Sequence, residues 1–178
     1  DGTDEREENG GDSAAENDTS ADGETENMGE LTLASPAFED GGRIPETYGY
    51  DAENVNPPLE IQNVPEGTES LALIMDDPDA VEPAGKVWDH WIVWNINPDT
   101  ETIIEGWDAA EAIEGENDYG DRGYGGPNPP DREHSYQFQL YALDEQLDLD
   151  AGSTKDDLQS NINEHVIDDA QLKGTYAP

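Results

Sequence analysis

The chain has no cysteine. Disulfides, thiolate nucleophiles and thiolate metal sites are therefore excluded. Cations are scarce: its 178 residues carry seven Lys and Arg against 45 Asp and Glu, a formal net charge of −38. A polyphosphate partner needs a cationic face and the counterion release that comes with it, so nucleic acid is not expected as a partner. A bare anionic membrane surface is disfavoured for the same reason. No apolar run approaches the ~20 residues that span a bilayer as a helix. The hydrophobic fraction, 33%, is low for a globular domain but above that of a disordered chain. The length suits one domain with a tail.

The acids are unevenly informative. Residues 1–30 hold twelve Asp or Glu, one Arg, and no aromatic or branched aliphatic side chain. Such a segment buries too little apolar surface to offset its ordering entropy, so a disordered acidic tail or linker is expected over 1–30 and a folded domain over 31–178. The folded part remains acidic, with 33 acids and six bases spread over its loops. A globule so charged repels itself at low salt. At about 1 M salt the Debye length falls to roughly 3 Å and the repulsion largely vanishes. The composition points to a protein that works in concentrated salt, as in an extreme halophile. A calcium buffer fits less well, because the acids are dispersed and lack EF-hand spacing. The first residue is Asp, and a flexible acidic leader suits an extracytoplasmic or surface-tethered protein rather than a cytoplasmic one.

Strand signals dominate the rest. Leu31–Ser35, Leu59–Val64 and Glu101–Glu105 read as short strands. Ser70–Asp76 is an almost continuous apolar run and predicts a strand buried on both faces. His90–Asn97, aromatic and β-branched, is the strongest strand signal. Ser135–Leu143 alternates, with Tyr136, Phe138 and Leu140 on one face. Residues 106–134 form a long loop rich in Gly and Pro, a length usually reserved for function. The spacing of Leu158, Ile162 and Val166 predicts a helix over 155–167, with Ser153 as its N-cap. A closing strand is expected over 172–176. The fold class that follows is a mostly β sandwich with minor helix.

Few residues are equipped for chemistry. His90 and His134 stand at the starts of strands, and Asp77 and Asp79 at the end of a third. If the strands are neighbours, two imidazoles and two carboxylates share a small pocket with the Tyr136 hydroxyl and a rim of Trp88. Carboxylates beside imidazoles favour the protonated ring. Protonated rings, the hydroxyl and the amides of Gly125 and Gly126 would then bind a small oxyanion such as phosphate. Taken singly, Asp77 and Asp79 read as solvated turn residues, and a His at a strand start as a satisfied structural group. His165 reads as structural or exposed. Zinc or iron on His90, His134, Asp77 and Asp79 is chemically possible, but no HxH or HExxH spacing supports it. No cofactor is expected.

The stretches SPAFEDGGRIPETYGYDAENVNPPLE, SLALIMDDPDA, WDHWIVWNI, YGGPNPPDREHSYQFQLYALD and LKGTY resemble, in order, the phosphatidylethanolamine-binding protein family, and more closely its prokaryotic, Raf kinase inhibitor-like branch. The resemblance implies an antiparallel β-sandwich with one or two peripheral helices. It also implies an anion pocket taking phosphate, acetate-like anions or a phospholipid head group. On this sequence the resemblance assigns Asp77 and Asp79 to the Asp-Pro-Asp element, Trp88 and His90 to the next strand, and His134 and Tyr136 to the second element. It makes Gly126, Pro129 and Pro130 the loop lining the opening. Three departures stand out: Val81 replaces a Pro, Ser135 an Arg, and Asn128 a Cys. The function expected is binding of a small anion or phosphorylated head group without turnover. The alternatives are an acid–base hydrolase using the His/Asp pocket, and a protein-interaction or inhibitor module working from the 106–134 loop.

Overall fold

A computed structural model describes residues 30–178 except Ala110. The segment expected as a tail therefore lies, apart from Glu30, outside the described residues. Nine strands are described: β1 (Thr32–Ala34), β2 (Gly42–Arg43), β3 (Leu59–Gln62), β4 (Ser70–Asp77), β5 (Trp88–Ile96), β6 (Thr102–Ile103), β7 (Ile113–Glu114), β8 (His134–Leu143) and β9 (Val166–Tyr176). Two short α-helices accompany them, α1 (Val81–Ala84) and α2 (Lys155–Ile162). One sheet has the order β1-β3-β6, the other β2-β9-β8-β4-β5-β7. The pairings are antiparallel except β2 with β9, which is parallel.

The apolar run of β4 is buried along its whole length because this strand is central and covered twice. Leu71, Leu73 and Met75 face the small sheet and pack with Leu33, Leu59, Ile61 and Ile103. Ala72 and Ile74 face outward, under Leu158 and Ile162 of α2. β8 is covered well on one face only, so Tyr136, Phe138 and Leu140 are buried while Gln137, Gln139 and Tyr141 are partly exposed.

The helix near the C-terminus is shorter than its apolar spacing suggests. It stops at Ile162, and Val166 and Ile167 begin β9, both exposed. Spacing alone cannot distinguish a third helical turn from the first residues of an edge-proximal strand. The cap is Thr154 rather than Ser153: its hydroxyl accepts from the Asp157 amide while the Asp157 carboxylate accepts from the Thr154 amide, a capping box. The long loop also contains β7, a two-residue strand too short to leave a sequence signal.

Candidate functional site

Alternation along β4 separates two neighbouring acids. Asp77 shares the inner face of Leu73 and Met75, and Asp76 points outward to Lys155 of α2. On β5 the same logic would turn His90 outward, because Trp91 and Val93 are the inner residues. A β-bulge prevents this. Met75 pairs with Trp91 but Asp76 pairs with Asp89, so His90 is the extra residue and rejoins the inner face. Asp89 is left outward, 2.7 Å from the Lys155 ammonium.

The turn after β4 carries Asp77 to β8. The Asp77 carboxylate accepts from the Asp79 amide at 2.9 Å, capping a 3-10 turn over Pro78–Ala80. Asp79 in turn accepts from the Ser135 amide at 2.9 Å. These two bonds pin the acidic turn to the start of β8. Nδ1 of His134 then meets Asp77 Oδ2 at 2.6 Å, and Nε2 meets Asp131 Oδ1 at 2.8 Å. A carboxylate only accepts, so both ring nitrogens carry protons and His134 is a cation clamped between two acids. Burial alone would lower its pKa, but the bonds and charges of Asp77 and Asp131 outweigh that and raise it above 6.5. Burial lifts the Asp77 carboxyl above its usual range, with the bond from His134 opposing.

His90 is different. Its Nδ1–H donates to the Gly125 carbonyl at 2.7 Å, and the ring is 1% exposed. It packs edge-on against Tyr119 and Tyr136. Burial pulls its pKa down to about 4, against the pull of the Gly125 and Gly126 carbonyls. His90 is therefore neutral, with a lone pair on Nε2, and the expected pair of protonated imidazoles reduces to one. The expected Gly125 and Gly126 donors are also taken: the first amide donates to the His90 carbonyl at 2.9 Å, the second to Asn54 Oδ1 at 2.7 Å.

A cavity of about 220 Å³ opens over this cluster. Its polar floor is Asp77, His90, His134 and Tyr136; its walls include Ala80, Pro83, Ala84, Trp88, Tyr119 and Pro130. The Tyr136 hydroxyl is fully buried, beside the Asp77 carboxylate and the Asn128 amide, and makes no well-formed hydrogen bond among the described residues. Burial raises its pKa, the Asp77 charge adds to that, and the Asn128 backbone amide acts in the opposite sense. No Lys or Arg lines the cavity. Arg132 turns away, its guanidinium 4.0 Å from Asp79 and bonded to the Glu133 carbonyl. A larger, open groove of about 820 Å³ runs along β3 and the 98–102 turn, but it gathers no histidine or aromatic side chain.

A family profile described as phosphatidylethanolamine-binding protein matches residues 34–177. The chain belongs to the phosphatidylethanolamine-binding protein family. A UPF0098 protein of Methanothermobacter thermautotrophicus is 46% identical over 151 residues, covering 82% of this chain and 98% of its own. A solved phosphatidylethanolamine-binding protein homolog from Chlamydia trachomatis matches with TM-score 0.78 and 40% identity, covering 83% of this chain and 97% of that one. E. coli YbcL, described as a new member of the mammalian family, matches with TM-score 0.76 and 31% identity over 83% of this chain and 98% of its own.

Within this family member, six of the nine residues singled out from the sequence line the cavity: Asp77, Trp88, His90, Pro130, His134 and Tyr136. Asp79, Gly126 and Pro129 do not. Asp79 acts one layer back, on the Asp77 turn and β8. Gly126 is a packing position: a Cβ there would overlap the Tyr48 carbonyl oxygen and lie 2.8 Å from Gly49 C and Tyr50 N. Pro129 is buried. Sequence reasoning missed Asp131 and Tyr119. Asp131 sits three residues before His134 in an irregular loop, where no periodicity predicts its direction. Tyr119 lies in the same long loop; its hydroxyl donates to the Gly126 carbonyl at 2.8 Å and its ring stacks on Tyr50 at 3.9 Å. His165, read as structural or exposed, lies on the surface between Asp144 and Glu145.

Proposed function

We propose that this protein binds a small oxyanion, a phosphate or a phosphorylated head group, in the His134/Tyr136 cavity, without turning it over. The observation that carries the reading is the Tyr136 hydroxyl: fully buried on the floor of a cavity, beside the Asp77 carboxylate and the Asn128 amide, and without a well-formed hydrogen bond among the described residues. A buried hydroxyl left unbonded costs about 1–3 kcal/mol, and an anionic oxygen removes that cost. The His134 cation beneath it supplies the only fixed positive charge among the lining residues. The cavity is smaller than the ~300–1,000 Å³ typical of drug-sized ligands, so it suits a head group and not a whole lipid. Turnover has little support. The lining offers no Ser, Thr or Lys nucleophile, and both nitrogens of His134 are occupied. The dispersed acids are read as adaptation to concentrated salt, where screening removes their mutual repulsion.

Isothermal titration with inorganic phosphate, wild type against Tyr136→Phe, tests the site. Loss of one hydrogen bond to a charged ligand is worth about 1.5–3 kcal/mol, or roughly 10–150-fold in Kd. Equal affinity in the two proteins would place phosphate elsewhere and defeat the reading.

A further inference from the structure

The β-bulge that turns His90 inward also misaligns the backbone beside it. In a regular strand successive carbonyls point to opposite edges. At the bulge the Asp89 and His90 carbonyls are both taken by the loop that follows β7: the first accepts from the Asp118 amide and the second from the Gly125 amide, each at 2.9 Å. β7 itself pairs with Val93 and Trp94 and ends at Glu114, so among the described residues no strand reaches Asp89 from that side.

Asp118 fills the gap with both of its polar ends. Its main-chain N–H closes on the Asp89 carbonyl, and its carboxylate Oδ2 accepts from the Asp89 N–H at 2.7 Å. A side-chain oxygen thus takes the place of a neighbouring strand's carbonyl. The other oxygen, Oδ1, accepts from Lys86 at 2.8 Å. The next residue is Tyr119, whose ring lies edge-on to His90 and whose hydroxyl donates to the Gly126 carbonyl. The turn is held firmly: Asn117 Oδ1 accepts from the Tyr119 and Asp121 amides, and its Nδ2 donates to the Gly123 carbonyl. Asp118 does not line the cavity.

We infer that Asp118 is a positioning residue of the candidate site: its carboxylate stands in for a missing strand opposite Asp89, holds the bulge, and so keeps His90 turned inward on the Gly125 carbonyl with Tyr119 against its ring. The inference concerns the geometry of the ring and is independent of what the cavity binds. The role belongs to the oxygen and not to the charge. Asn offers the same acceptor; its NH2 would face Lys86, whose side chain is 53% exposed and can swing into solvent. Ala offers no acceptor, and the part-buried Asp89 N–H is left unpaired. Regular pleating would then turn His90 outward and take Nδ1 off the Gly125 carbonyl.

The experiment is proton–nitrogen NMR of the full chain with labelled histidines, at pH 7 in about 1 M potassium chloride, where screening relieves the surface charge. In the wild type and in Asp118→Asn, His90 is expected as a single neutral tautomer with a solvent-protected proton on Nδ1. In Asp118→Ala the protection of that proton should fall roughly tenfold or more, the factor carried by one hydrogen bond to a charged acceptor. The His134 ring protons should be unchanged, because Asp77 and Asp131 hold them. Equal His90 protection in Asp118→Ala and wild type overturns the inference. So does an equal loss in Asp118→Asn, which would make the charge the agent, and so does a parallel loss at His134, which would mark general loosening. Should the Ala variant not fold, Asp118→Ser makes the same comparison with a hydroxyl too short to reach the Asp89 amide. If neither folds while Asp118→Asn does, Asp118 holds the whole domain and the positioning role is overturned. No ligand enters the measurement, so its failure is distinct from that of the anion-binding reading.

Discussion

Replacing Lys155 by Met should destabilise the protein by several kcal/mol. The ammonium lies 3.1 Å from Asp76 Oδ2 and 2.7 Å from Asp89 Oδ1, and its side chain is 13% exposed. Asp76 and Asp89 are cross-strand partners, at 11% and 12% side-chain exposure. Met keeps most of the side chain's length and its apolar packing at the start of α2. What it removes is the cation that compensates two adjacent, largely buried carboxylates. Breaking a buried ion pair from one side costs about 3–5 kcal/mol. For a domain of this size that is a fall in Tm of roughly 6–20 °C. Burial already lifts the Asp89 carboxyl, with Lys155 opposing, so its pKa must rise further in the variant. The sign of the pH dependence follows. A carboxyl with a raised folded pKa loses stability as pH rises through that value, and below about pH 4 it is neutral folded or unfolded. The gap between wild type and variant should therefore be widest at neutral pH and close as pH falls toward 4. Urea unfolding of both proteins at pH 7, 5.5 and 4 measures it. A difference under about 1 kcal/mol at pH 7, the size of a surface pair, refutes the claim that this cluster is buried and interdependent. So does a gap that is independent of pH.

Nitrogen NMR at pH 7 should find both ring nitrogens of His134 protonated and only Nδ1 of His90 protonated; a neutral His134 contradicts the two-carboxylate clamp. Because the folded pKa of His134 is raised, its contribution to stability is complete below about pH 6.5 and is lost as pH rises through the folded value. Gly126→Ala should cost roughly 2 kcal/mol or more, since the new methyl meets backbone at 48–50 rather than a side chain that can move; a thermal melt superimposing on wild type refutes the close approach. Tm should climb steeply between roughly 0.1 and 1 M potassium chloride, as the Debye length drops from about 10 to 3 Å; a flat profile speaks against salt adaptation of the acidic surface.

Much of the architecture could be read before any coordinates. The apolar run 70–76 and the alternation of 135–143 fall in observed strands, and the aromatic strand expected at 90–97 matches β5 up to Ile96, because burial on one face or two imposes a period that composition reveals. The pairing of an Asp-Pro-Asp turn with a later His-x-Tyr was also legible. Its meaning depended on Asp77 and His134 meeting, 57 positions apart, which they do at 2.6 Å.

By itself the sequence determined the charge, the strand content and which side chains were candidates, since these are properties of residue types and local spacing. The protonation pattern was decided only by the tertiary structure. A single bulge turned His90 inward, and the Gly125 carbonyl then fixed its tautomer. Asp131, unremarkable in its loop, completed the cation at His134. The glycine amides that promised an anion nest were consumed by Asn54 and by the His90 carbonyl. Each of these is a matter of which partner reaches a polar atom first in a water-poor interior, and that competition involves residues remote in the chain.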